Sequence, residues 1–266
     1  EGPLDEADAA RLVRVLERRG FGLGRVVVGL PSGATRSRII EIPEGTVPHR
    51  LESIIREEIA RIHRWEELEF ESTSWQVPAP AARRAATAQF LAVSCTHERA
   101  QGQLDALDPH CNVVALDAPT LTLARVCRNA GAGPCVIGAR VECGSFHLVF
   151  VEDEISIYER EVTLGAPASS ASSAQADRAW LDRILSETEA SLAYVLRQHA
   201  QVRAESVLLM GAMAEESKVL SGLEGVLGVR GTIVRPGALV SCAGTPEGAD
   251  DPGLSMSVGL AMFGHA

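Results

Sequence analysis

Residues 135–163 read CVIGARVECGSFHLVFVEDEISIYEREVT. Three apolar runs stand in this stretch, Cys135 to Glu142, Phe146 to Val151 and Ile155 to Thr163, separated by Gly144 and by the triplet Glu152-Asp153-Glu154. Short runs rich in Val, Ile and Phe and bounded by turn residues are strands, and the last two, joined by so short a connection, predict an antiparallel hairpin.

Working outward, the segments on either side alternate strands with helices. Downstream, Gly165 to Asp177 (GAPASSASSAQAD) is small, polar and turn-rich, and reads as a flexible linker. Trp180, Leu181, Ile184, Leu185, Thr188, Ser191, Leu192, Val195, Leu196 and His199 then form one helical stripe. A strand at 206–210, a helix at 216–226, a strand at 231–234 and an apolar helix at 254–264 complete the chain. Upstream, helices are expected at 7–19, 48–64, 97–107 and 119–129. Strands are expected at 25–30, where RVVVGL suits a buried strand, and at 36–42, 69–77, 88–95 and 113–116. Alternation of this kind is an α/β pattern.

Composition narrows the function. The 266 residues carry 35 acidic and 25 basic side chains, a net charge of −10, which repels a phosphate backbone and makes nucleic acid an unexpected partner. No apolar run approaches the ~20 residues that cross a bilayer, so direct membrane insertion is not expected. The six cysteines form no Cys-x-x-Cys pair and read as reduced, buried small hydrophobes; the seven histidines show no zinc-enzyme spacing. Nothing matches a phosphate-binding loop, a dinucleotide fingerprint or a hydrolase nucleophile elbow. Gly20-Phe21-Gly22-Leu23-Gly24 follows a helix and reads as its C-terminal turn. The run Glu57-Glu58 with Glu66-Glu67, interleaved with Arg56, Arg61 and Arg64, reads as a solvated ion-pair face.

Several segments in order resemble the actin-like PilM family of type IV pilus assembly proteins, with the cell-division protein FtsA as a more distant relative. Val28-Gly29-Leu30-Pro31 is similar to the family's strand ending in Ala/Gly-Leu-Pro, and Ile40-Glu41-Ile42-Pro43 to its Glu-Leu/Ile-Pro strand end. The passage from Phe90-Leu91-Ala92-Val93 through Val113-Val114-Ala115-Leu116-Asp117 to Leu121-Thr122-Leu123-Ala124-Arg125 resembles another family segment. So do Tyr158 to Gly165 (YEREVTLG) and the closing helix Met256-Ser257-Val258-Gly259-Leu260-Ala261. The resemblance implies a ribonuclease H-like, two-lobed actin fold. Residues 1–131 would form the first lobe, with an inserted α/β subdomain at about 25–95, and residues 132–266 the second. It also implies that the lobe's first strands and its first Asp-x-Gly hairpin precede Glu1, and that the second lobe's insertion is reduced to the 165–177 linker.

Nucleotide-binding members hold phosphate and Mg²⁺ with two Asp-x-Gly hairpins, because a carboxylate organises the metal's water shell and glycine lets backbone N–H groups approach phosphate. The second hairpin aligns with Glu142-Cys143-Gly144-Ser145, where Glu replaces Asp and where bulky Phe146 and His147 follow in place of small residues. The adenosine-site Gly-Gly step aligns with Gly211-Ala212. The resemblance therefore implies ATP and Mg²⁺ at Glu142, Gly144, Ser145, Gly211 and Ala212 only if residues ahead of Glu1 restore the site; otherwise no cofactor is expected. A plain hairpin turn with a surface carboxylate is the preferred reading of residues 142–145.

The resulting expectation is a non-catalytic cytoplasmic scaffold, peripheral to the inner membrane, that docks the short cytoplasmic tail of a single-pass membrane protein in the PilN role. The family's groove stretch corresponds to Glu58 through Trp65, which makes Glu58, Ile62 and Trp65 the candidate partner-binding residues. Homo-oligomerisation is compatible with this expectation. Two rival readings are an ATP-hydrolysing actin-like switch and the cytoplasmic domain of a GspL-like type II secretion component.

Overall fold

The computed structural model describes residues 6–20, 24–31, 33–78, 87–131, 133–165, 174–216, 218–240 and 249–263. The chain divides into two units, one of Glu1–Gln76 with Ala85–Pro119, the other of Val77–Arg84 with Thr120–Ala266.

The first unit contains α1 (Glu6–Arg18), β1 (Val26–Gly29), β2 (Thr35–Pro43), α2 (Pro48–His63), β3 (Phe70–Val77), β4 (Thr87–Thr96), α3 (His97–Leu107) and β5 (Val113–Asp117). β1 pairs in parallel with β5 as a two-stranded sheet, and Val28 and Val113 pack on Ala9 of α1 and Ala106 and Leu107 of α3. With a single neighbour among the described residues, β1 is half-buried along its length rather than the fully buried strand its apolar sequence predicts. β2, β4 and β3 form a separate sheet with β4 central; β2 runs antiparallel to β4 from Thr35↔Cys95 to Pro43↔Thr87.

The helical spacing of α2 buries Ile55 and Ile59 against Ile40, Ile42, Phe70, Phe90 and Ala92. Each such side chain contributes ~1.5–3 kcal/mol on burial, several times an exposed helical ion pair, so the apolar stripe anchors the helix. The charged face is only partly the expected ladder. Glu58 pairs with Arg61. Arg56 instead folds back to the carbonyls of Glu67 and Phe70 and lies over the Phe70 ring at 4.7 Å. At the end of α1, Gly20 takes φ +82°, as a helix C-terminal glycine should; residues 21–23 of the glycine run lie outside the described residues.

The second unit contains α4 (Pro119–Ala130), β6 (Cys135–Val141), β7 (Ser145–Glu152), β8 (Ile155–Thr163), α5 (Ala174–Gln198), β9 (Ser206–Met210), α6 (Val219–Leu227), β10 (Arg230–Ile233), the short α7 (Pro236–Leu239) and α8 (Ser255–Ala261). Its sheet has the order β10-β9-β6-β7-β8, parallel over the first three strands and antiparallel over the last three. The expected β7–β8 hairpin is present. Its two-residue turn puts Asp153 and Glu154 at φ +47° and +69°, the handedness that matches strand twist.

Helices cover both sheet faces, as a largely apolar sheet requires. On one face Leu123, Val126 and Cys127 of α4 pack on Val136, Val149, Val151, Leu208 and Met210. On the other, Tyr158 of β8 meets Phe150 of β7 and Tyr194 of α5, and donates its hydroxyl to Ser191.

Three boundaries differ from the expected ones by more than one residue. Most of the expected linker, 166–173, lies outside the described residues, but Ala174 to Asp177 are already helical, because Ala and Gln are good helix formers and the Asp177 carboxylate suits the positive end of the helix dipole. The closing helix is shorter, Ser255–Ala261, and enters through a 3₁₀ turn at Pro252–Leu254. α6 begins at Val219 rather than 216, since Gly211 to Glu216 form consecutive turns.

Among the described residues no helix is long and apolar enough to cross a membrane, and no cluster of His, Cys, Asp and Glu has metal-holding geometry. Cys95, Cys111, Cys127, Cys135 and Cys143 are free. Two depart from the expected burial: Cys111 is half-buried, and Cys143 sits exposed at the β6–β7 turn. Cys242 lies outside the described residues.

Candidate functional site

The β6–β7 turn and the turn after β9 meet. β9 lies parallel to β6, with Arg140 opposite Met210, so the residues following each strand emerge side by side. Glu142 leaves β6 with its residue 8% exposed, and both carboxylate oxygens are engaged. Oε1 accepts from Nε of Arg140 at 2.9 Å, and Oε2 accepts from the Ala212 N–H at 3.3 Å. Arg140 and Glu142 share a face because strand side chains alternate with a period of two.

Backbone bonds close the arrangement. The Glu142 N–H donates to the Ser145 carbonyl at 2.9 Å, and Leu164, just beyond β8, donates to the Gly144 carbonyl at 2.8 Å. Met213 donates to the Val141 carbonyl at 3.1 Å, and Gly211 to that of Pro252 at 3.1 Å.

The structure therefore brings together Glu142, Gly144, Ser145, Gly211 and Ala212, all from the second unit. Their individual roles differ from what the alignment suggests. Gly211 has φ +101°, and a Cβ there would lie 2.4 Å from the Val141 carbonyl oxygen, so glycine is demanded by close backbone approach. Gly144 has ordinary φ and open space where a Cβ would stand, so nothing in the turn requires glycine. Ala212 is exposed. Phe146 and His147 do not crowd the turn: both are buried, on opposite faces of the sheet. His147 Nε2 lies 3.4 Å from Glu159 Oε2. The surface carboxylate of the plain-turn reading is instead a buried one. Arg140, not singled out by the sequence reading, was visible in principle as the same-face partner in Arg140-Val141-Glu142.

The candidate partner-binding residues separate. Glu58, half-buried, and Ile62, 38% exposed, lie one helical turn apart on α2. Trp65 is partly buried, stacked on His63 at 4.6 Å and near Phe70 at 5.5 Å, and packs against the core of its unit. Leu68 is far more exposed, at 85%, in the turn that follows.

No protein-family model and no curated protein matches the sequence. Solved structures do match. A chain of a PilM–PilN type IV pilus biogenesis complex has a TM-score of 0.77 at 20% identity, covering 97% of this chain and 84% of that one. A Bacteroides thetaiotaomicron protein of unknown function with an actin-like ATPase fold has a TM-score of 0.45 at 10% identity, covering 95% and 80%. The ethanolamine utilization protein EutJ from Carboxydothermus hydrogenoformans reaches 0.38 at 15% identity, covering 64% and 60%. Over nearly its whole length the chain shares the fold of that chain of the PilM–PilN complex.

Proposed function

We propose that this protein is a non-catalytic scaffold of a type IV pilus or related secretion machine, which docks the short cytoplasmic tail of an inner-membrane protein in the PilN role. The carrying observation is the fold likeness to a chain of a PilM–PilN complex over 97% of the sequence. On this reading the protein works in the cytoplasm, peripheral to the inner membrane through its partner. Docking a peptide requires an apolar surface and backbone groups rather than a catalytic set, and the sequence offers no such set. Ile62 and Glu58 on α2 belong to the docking surface, with Trp65 supporting the helix end from beneath. The engagement of both Glu142 oxygens by Arg140 and Ala212 supports a site that does not take up Mg–ATP.

Two titrations test the reading. The full chain is titrated with a labelled peptide of the PilN-like tail from the same organism, followed by fluorescence polarisation. Saturable binding weakened by Ile62→Asp supports docking, and no binding at millimolar peptide rejects it. Thermal unfolding with Mg–ATP separates the switch reading, since a ligand at a hundred times its dissociation constant stabilises by ~2.7 kcal/mol. No shift is expected; an upward shift restores the switch.

A further inference from the structure

We infer that Arg140 is a tethered cation, whose guanidinium supplies to the Glu142 carboxylate the positive charge that a bound divalent ion would otherwise supply, so that the turn is locked without a ligand. The inference rests on the reading that this turn takes no Mg–ATP, but not on the identity of any docking partner.

Burial comes first. Only 10% of the Glu142 side chain is exposed, and a carboxylate so placed needs a compensating charge or several donors. Arg140 is the cation within ion-pair distance of it among the described residues, at 2.9 Å, and its own side chain is only 21% exposed. The pair is thus largely withdrawn from the solvent that would screen it.

Position comes second. The carboxylate is not an isolated half of a surface pair, because its other oxygen holds the Ala212 N–H, 70 residues away in the chain. Glu142 therefore ties the end of β6 to the turn after β9, and Arg140 neutralises that tie. The same junction gathers the Met213 bond to Val141, the Gly211 bond to Pro252 and the Leu164 bond to Gly144. Two chain segments, 211–213 and Leu164, thus bond to the β6–β7 turn, and Pro252 joins them through Gly211.

Exclusion follows. A divalent ion approaching Oε1 meets a guanidinium already seated there, and two cations on one oxygen repel at short range. The residues present do not fit the metal of a nucleotide site.

Amide hydrogen exchange of Ala212 and Met213 in the full chain provides the test, in wild type, Arg140→Ala, Glu142→Gln and the double variant. Arg140→Ala is expected to speed Ala212 exchange about tenfold, the effect of a lost charge-assisted bond, and millimolar MgCl2 to restore most of the protection. The same salt should change nothing in wild type or in the double variant. Rescue by Mg²⁺ is the readout that a merely packing role would not give. Should Arg140→Ala not fold, Arg140→Gln keeps the length and polarity and is expected to show the same rescue. Unchanged Ala212 exchange in a folded Arg140 variant, failure of Mg²⁺ to restore it, or a Glu142-dependent response to Mg²⁺ in wild type would each overturn the inference. None of these outcomes depends on peptide binding, so the docking reading fails or stands separately.

Discussion

Gly211 lies so close to Val141 that a Cβ on it would come within 2.4 Å of the Val141 carbonyl oxygen, while its φ of +101° is one that L side chains rarely adopt. Both facts bear on the same substitution. Gly211→Ala is expected to destabilise the protein by ~2–4 kcal/mol, because the clash is with backbone and cannot be relieved by a rotamer change. Gly144→Ala, in open space with ordinary φ, should stay within about 0.5 kcal/mol of wild type. Urea denaturation of the two variants checks this directly; similar midpoints for both would contradict the geometry.

Removing both partners of the Arg140–Glu142 pair should cost less than the sum of removing each alone. Glu142→Gln leaves a guanidinium 21% exposed with no carboxylate, and Arg140→Gln leaves a carboxylate 10% exposed with only the Ala212 N–H. Each is expected to lose ~1–3 kcal/mol, and the double variant less than the sum, with a coupling of ~0.5–3 kcal/mol. Strict additivity in a double-mutant cycle would show that the pair is energetically idle.

Thiol chemistry should discriminate sharply between positions. Burial pushes the thiols of Cys127 and Cys135 up to about 12, with Glu152, Glu205 and Asp153 adding to the effect at Cys135. Neither forms thiolate near neutral pH, whereas Cys143 is exposed at the turn. Brief iodoacetamide treatment followed by peptide mapping is expected to label Cys143 far ahead of Cys127 and Cys135. Early labelling of Cys127 in folded protein would be inconsistent with its burial.

Acid should weaken the fold through two histidines. Burial holds His199 below its ordinary 6.5, and burial together with Arg38 and Arg36 does the same for His63. As pH falls through 6.5 the unfolded chain takes up these protons before the folded one, so stability drops on the acid side of neutrality. Glu152, raised by burial and then by Asp153, works with the opposite sign. The variants therefore carry the test. Between about pH 7.5 and 5.5 the urea midpoint of wild type should fall, and His199→Gln should fall less steeply. Equal slopes would remove His199 as a contributor.

Much of the fold was legible in residue periodicity. Val, Ile and Phe runs marked β6, β7 and β8 nearly to the residue, and the buried series Ile184, Thr188, Ser191 and Val195 follows most of the long stripe of α5, with Leu196 instead 41% exposed and His199 buried just past the helix end. α7 was missed, because four residues are too few to show a helical period. The half-burial of β1 was not legible either, since an apolar run does not reveal how many neighbours its strand will have.

The candidate site divides along the same line. Sequence by itself determined that Arg140 and Glu142 share a face and that a turn follows them, because alternation along a strand is a local property of the backbone. Only the tertiary structure decided that this carboxylate is buried, that it holds the amide of Ala212 and that Gly211 is pinned against Val141. It also decided that Trp65 is partly buried against Phe70 while Ile62 is exposed. Those outcomes depend on which strands become neighbours, here β9 beside β6 with bonded residues 70 positions apart, and no window of sequence short enough to read contains both partners.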